Sequence, residues 1–185
     1  MIKDAMNEAE ERMKGALSAL GNDLATIRTG RASPALVERL EVEYYGTPTP
    51  LQQLATISAP EPRLLTIKPF DPASLKDIER AILASELGLT PNNDGKLIRL
   101  SIPALTEDRR KQLTKVVHHR LEEARVAVRN VRRSAHEDLR EFEKEKMISE
   151  DDLERGEAEL QKLTDKYVEK IEEQGKRKET EIMEI

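Results

Sequence analysis

Apolar residues recur every third or fourth position at the start of the chain: Met6, Ala9, Met13, Leu17, Leu20, Leu24 and Ile27. That spacing puts them on one side of an α-helix of roughly 40 Å. The pattern returns, longer, in Leu113, Val117, Leu121, Ala124, Val128, Val131, Ala135, Leu139 and Phe142, which fall within about 80° of one another at 100° per residue. Thr106 is the expected N-cap of this second long helix, with Glu107 and Asp108 complementing its dipole. A third opens at Ser149-Glu150-Asp151-Asp152, a capping-box spacing with Asp in place of the usual Glu or Gln. It carries Leu153, Leu160, Leu163, Tyr167 and Ile171 and is expected to end near the C-terminus. Each helix is apolar on one side only, so none is stable alone, and the three are expected to bury one another as a bundle.

The segment between the first two stripes follows a different period. Leu40, Val42 and Tyr44 alternate with Glu41, Glu43 and Tyr45, the signature of a half-buried strand. Gly46-Thr47-Pro48 is the expected turn, and Leu54 to Ser58 and Leu64 to Lys68 read as further strands. Asp71 followed by Pro72 predicts a capped helix running to about Leu87, with Gly88 as its stop. Asn93-Asp94-Gly95 turns the chain into a last strand, Leu97 to Ile102. The expected class is α+β: a bundle from residues 1–29 and 106–185, with a small β/α/β domain inserted at 31–104. Two connections, around Thr29-Gly30-Arg31 and Pro103-Ala104-Leu105-Thr106, join them and allow a hinge.

Composition sharpens this division. All nine prolines lie between positions 34 and 103. Residues 31–105 hold 17 charged side chains, whereas residues 106–185 hold 41, so the middle can build a compact core and the flanks look like exposed helices. With no cysteine, disulfides, thiolate zinc sites and Cys nucleophiles are excluded. The longest uncharged stretch, Tyr44 to Pro60, is 17 residues long, largely polar and broken by prolines, which argues against a membrane span. The N-terminus offers neither a signal core nor a transit segment, and a soluble, cytoplasmic product is expected.

Signatures of catalysis are missing: no phosphate loop, no Gly-x-Gly-x-x-Gly, no Gly-x-Ser-x-Gly and no His-Glu-x-x-His. His118 and His119 point about 100° apart on their helix, so they form no metal-binding face, and with His136 they read as solvated or as part of a cationic face. The informative feature is charge distribution. The chain has a formal net charge of -5, yet residues 109–133 carry nine Lys and Arg against Glu122 and Glu123 alone. Arg109 and Arg110 open this run. Arg125, Arg129, Arg132, His136 and Arg140 recur at helical spacing beside the apolar stripe, with Arg133 at its edge. One reading is a solvated face paired with acids of a neighbouring helix. The other is a phosphate-binding face, favoured because most of the run lacks acids four residues away and because Arg binds phosphate bidentately and stacks on bases. Tyr44 is expected to face the core, and Tyr45 is open to either role.

Four strings carry a resemblance: Arg28-Thr29-Gly30-Arg31-Ala32-Ser33-Pro34, Val42-Glu43-Tyr44-Tyr45-Gly46-Thr47-Pro48-Thr49-Pro50, Leu105-Thr106-Glu107-Asp108-Arg109-Arg110-Lys111 and Ala127-Val128-Arg129-Asn130-Val131-Arg132-Arg133. In this order and spacing the whole chain resembles the bacterial-type ribosome recycling factors. The resemblance implies an L-shaped molecule with outer dimensions similar to transfer RNA, the bundle as one arm and the β/α/β domain hinged to its end. It implies binding to the post-termination ribosome between the subunits, mainly through large-subunit rRNA. Acting with elongation factor G and its GTP hydrolysis, such a protein separates the subunits and frees messenger and transfer RNA. It implies no covalent chemistry and no cofactor, GTP belonging to the partner. Carried over by position, Arg132 is the main rRNA contact, with Arg129 and Arg133 on the same helix and Arg28 and Arg31 near the hinge end of the first. Asp108 stands where many relatives have Glu, a mild change. The competing reading is a dimeric helical scaffold. Three stripes on one chain can cover one another without a second copy, and Gly30 and Pro34 stop the first helix early, so a monomer without membrane partners is expected.

Overall fold

The structure, a computed structural model, describes residues 1–184. In chain order its elements are α1 (Ile2–Ala25), β1 (Glu41–Tyr44), β2 (Thr47–Pro50), β3 (Ala55–Glu61), β4 (Leu64–Pro69), α2 (Leu75–Ala84), β5 (Pro91–Asn93), β6 (Ile98–Ser101), α3 (Glu107–Lys144) and α4 (Glu150–Met183). Two units result: Met1–Arg28 with Glu107–Glu184, and Thr29–Thr106. Thr29 and Thr106 thus fall with the second unit.

The first unit is built from α1, α3 and α4. Ala9, Met13, Leu20 and Leu24 of α1 are buried, as are Leu113, Val117, Leu121, Ala124, Val128, Val131, Ala135 and Leu139 of α3. The seam of α4 differs from the expected stripe. It consists of Gly156, Leu160, Thr164, Tyr167, Ile171, Gly175 and Ile182, while Leu153 and Leu163 are only half-buried. Close helix approach is the reason. A Cβ at Gly156 would stand 3.3 Å from Leu139 Cδ1, and one at Gly175 would run into Leu121, so leucines of α3 fill the space that larger side chains on α4 would need. Thr164 donates its hydroxyl to the Leu160 carbonyl at 2.8 Å, which lets a polar residue enter the seam.

Local contacts set the helix ends. Ser149 Oγ accepts the Asp152 amide at 3.1 Å and the Asp152 carboxylate accepts the Ser149 amide at 3.3 Å. The capping box therefore closes with Asp, and Ser149 holds that carboxyl below its ordinary range. Helix α1 ends at Ala25, short of Ile27, and the Thr26 hydroxyl donates to the Asp23 carbonyl at 2.6 Å. Tyr167 ties α4 to α1: its ring is 1% exposed, and its hydroxyl donates to Glu10 Oε1 at 3.0 Å.

In the second unit, β1 and β2 form a two-stranded ribbon, and the remaining strands form an antiparallel sheet in the order β3-β4-β6-β5. The ribbon turns at Tyr45 and Gly46, whose φ values are 48° and 78°, not at Gly46-Thr47-Pro48. This matches a two-residue hairpin with both central residues at positive φ. Thr47-Pro48-Thr49-Pro50 then pairs with β1, Val42 opposite Thr49, because an outer strand tolerates prolines that a central one would not. The short β5 begins with Pro91 for the same reason. Helix α2 follows a single 3-10 turn at Pro72–Ser74 capped by Asp71, whose Oδ1 accepts the Ala73 amide at 2.9 Å. It stops at Ala84, three residues before the expected end. The Ser85 backbone is extended and its hydroxyl donates to the Ile82 carbonyl at 2.6 Å. Leu87 and Leu89 fold back onto a core centred on Val42, Leu65, Ile67, Ile78, Ile98 and Leu100.

Two measurable consequences follow from these contacts. Gly175→Ala forces a methyl group into Leu121 and is expected to destabilise the bundle by about 1–3 kcal/mol in urea unfolding. At the β5–β6 turn, Asp94 accepts the amides of Leu97 and Lys96, each at 2.9 Å, and pairs with Arg99 at 2.8 Å. These contacts lower its pKa to about 2. A depressed carboxylate stabilises the fold above its unfolded pKa and loses that contribution as pH falls through its folded value. Asp94→Ala should therefore lower the unfolding midpoint at pH 7, and the difference from wild type should close between about pH 4 and 2.

Candidate nucleic-acid interface

The basic run lies on α3, and the acids beside it, Glu122 of α3 itself as well as those of α4, decide which arginines are available. Arg125 is not. Its side chain is 21% exposed, and it pairs with Glu122 at 3.0 Å and with Glu172 of α4. Arg129 is exposed and lies 3.7 Å from Glu122. Arg140 lies 3.6 Å from Glu157, the carboxylate that also takes His136 at 2.8 Å. Arg132 differs in kind: it is exposed, and its Nη1 donates at 2.9 Å to a neutral acceptor, Gln161 Oε1. Arg133, also exposed, makes no ion pair or hydrogen bond among the described residues.

These groups converge. Arg129, Asn130, Arg132, Arg133 and His136 from α3, with Glu157, Leu160 and Gln161 from α4, line an open cleft of about 480 Å³. Leu160, 1% exposed, is its apolar floor. Guanidinium forks over such a surface suit a phosphate with an adjoining planar group.

The other candidates lie apart from the cleft. Arg109 is exposed and donates to Gln112 at 3.2 Å. Arg110 is half-buried and donates to the Met183 carbonyl at 2.9 Å, so it satisfies a terminal carbonyl of α4, as basic side chains do at helix C-termini. Arg28 lies beyond the end of α1 and is exposed, and Arg31 belongs to the second unit; neither is on the helix. Thr29 is 7% exposed. Gly30 has φ +75°, and a Cβ there would stand 3.2 Å from Leu105 Cγ. Pro103 and Ala104 are exposed.

The histidines are not simply solvated. His118 faces Glu179, His119 faces Glu123 at 3.0 Å and His136 faces Glu157. Among the described residues no His, Asp and Glu side chains converge as a metal site, and no helix is long and apolar enough to cross a membrane. Tyr44 packs against the core of the second unit and donates its hydroxyl to Asp71 at 3.1 Å, whereas Tyr45 is 80% exposed. Spacing on α3 alone could not reveal Glu157, Gln161 and Glu172, because they reach the arginines from α4. For Glu157 and Gln161 the one available signal was the i, i+4 row 157, 161, 165, acidic at both ends and neutral at its centre.

Three long helices in one unit, an antiparallel sheet with a ribbon and a helix in the other, and an open arginine-lined cleft on the first define the class: a two-unit α+β protein with a cationic surface cleft. The family model described as ribosome recycling factor matches residues 20–183. The chain is 61% identical to the ribosome-recycling factor of Roseiflexus castenholzii and 57% identical to that of Halalkalibacterium halodurans, in each case over 185 residues and 100% of both chains. It is similar to a solution structure of a ribosome recycling factor, with TM-score 0.68, 46% identity and coverage of 100% of this chain and 98% of that one. It is similar too to a chain from a structure of the T. thermophilus ribosome recycling factor and E. coli elongation factor G bound to the E. coli post-termination complex, with TM-score 0.61 and 46% identity over 99% of each chain. The chain belongs to the ribosome recycling factor family.

The arginines should separate by their effect on stability. Arg125→Ala leaves Glu122 and Glu172 without their shared partner and is expected to cost about 1 kcal/mol. Arg132→Ala and Arg133→Ala should unfold like wild type in the same urea titration.

Proposed function

We propose that this chain binds the post-termination ribosome and, with elongation factor G and the GTP which that partner hydrolyses, separates the subunits and frees messenger and transfer RNA. Family membership and likeness to the factor seen with elongation factor G support this reading. The contact with large-subunit rRNA falls to Arg132, with Arg129 and Arg133 beside it. The observation that carries this assignment is the exposure of Arg132 and Arg133 without a carboxylate partner, although the chain as a whole has a net charge of -5.

Each phosphate these groups neutralise releases counterions, so affinity falls steeply with salt, and about four to six contacts give a log-log slope of several units. At 1.5 Å per residue, α3 and α4, of 38 and 34 residues, are rods of about 50–57 Å. They are long enough to carry a push from a partner into the subunit contacts. The two connections, Thr29 to Arg31 and Pro103 to Thr106, act as the hinge. The reaction energy comes from the partner's GTP, and the chain performs no covalent chemistry. A monomer suffices, because Met13, Leu139, Leu160, Tyr167 and Ile171 are each under 2% exposed within a single copy. That burial favours the bundle over a dimeric scaffold.

Binding to isolated large subunits across a salt series tests the assignment. Arg132→Ala should bind at least about tenfold more weakly and lose about one unit of salt slope, with an unchanged unfolding midpoint. Wild-type affinity and recycling in that variant would refute the role given to the cleft.

A further inference from the structure

The Arg132 guanidinium is held by a side chain that brings no charge. On α4, residues 157, 161 and 165 form one i, i+4 row, and two of the three are acids. Glu157 takes His136 and Arg140. Gln161 takes Arg132 through Oε1 at 2.9 Å, and its Nε2 donates to Asp165 Oδ1 at 2.8 Å. A guanidinium only donates and a carboxylate only accepts, so the amide can serve both neighbours in one orientation only. Turning it over would set two donors face to face on one side and two acceptors on the other, and both bonds would be lost.

We propose that Gln161 and Asp165 are positioning residues for Arg132: they aim its guanidinium into the cleft while leaving its positive charge available to RNA. An acid at 161 would hold the guanidinium as firmly but would compete with phosphate for it. Asp165 lends order without neutralisation, since its carboxylate reaches the arginine only through the amide. The arrangement lowers the cost of ordering a long, flexible side chain when RNA binds. This assignment rests on the rRNA contact proposed above, and the experiment separates the failure of one from the failure of the other.

Affinity of the full chain for isolated large subunits is measured over a salt series for Arg132→Ala, Gln161→Leu, Gln161→Glu, Asp165→Asn and the double variant Arg132→Ala with Gln161→Leu. Gln161→Leu is expected to bind about three- to tenfold more weakly. Gln161→Glu should bind more weakly still, with a salt slope flatter by about one unit. Asp165→Asn should lie between wild type and Gln161→Leu. In the Arg132→Ala background Gln161→Leu should add nothing, the mark of two residues acting through one. Unfolding midpoints should stay together, because residues 132, 161 and 165 are exposed. Positioning is overturned if Gln161→Leu binds like wild type while Arg132→Ala does not, or if its loss repeats in full in the double variant. Wild-type binding by Asp165→Asn removes Asp165 from the assignment. Wild-type binding by Arg132→Ala overturns the rRNA contact itself, and the positioning role with it.

Discussion

Three helices, each apolar along a single side, have only one another to bury against, and the close approach of α3 to α4 sets the terms on which they do so. Gly156 and Gly175 admit Leu139 and Leu121, which fixes the axial register of the two helices as well as their separation. Electrostatics follows from that register. The packing that seats Leu139 over Gly156 also brings Glu157 to His136 and Arg140 and leaves Gln161 opposite Arg132. Sliding α4 by one turn would exchange the neutral partner for an acidic one.

Charge is consequently allotted residue by residue. A basic helix beside an acidic one cancels much of its own field, as Arg125 between Glu122 and Glu172 illustrates. What survives is local and directional. A net negative charge on the whole molecule limits indiscriminate adhesion to polyanions, and a few unneutralised guanidinium groups concentrate attraction at one cleft. Binding of this kind depends on placement more than on total charge.

How much of this was legible in the chain depends on the property that carried the information. The stripes on α1 and α3 consist of strongly apolar residues, and periodicity found them. The seam of α4 was only half visible because Gly156, Thr164 and Gly175 enter it by being small or by bonding internally, and neither quality registers as hydrophobic. Strands β2 and β5 were hidden by prolines that belong to outer strands. The end of α2 depended on one hydroxyl, that of Ser85. The spacing of the arginine row could be read directly. Which members meet a carboxylate across the seam could not, since that is decided by a helix beginning some 20 residues beyond Arg129. Arg110 shows the limit plainly: its charge marked it for RNA, and its partner is the Met183 carbonyl.

The interrupted bundle also orders events during synthesis. Helix α1 leaves the translation machinery first, while the surfaces that cover it arrive only after residues Thr29–Thr106 have been made. At typical rates of about 5–20 residues per second, that interval lasts about 4–16 s. Throughout it the N-terminal stripe has no native partner, whereas the inserted unit, being contiguous, has all the residues of its own core by the end of that interval. The nascent chain therefore matures from its middle outward, and an early helix with a bare apolar side is the segment most in need of shelter while it waits.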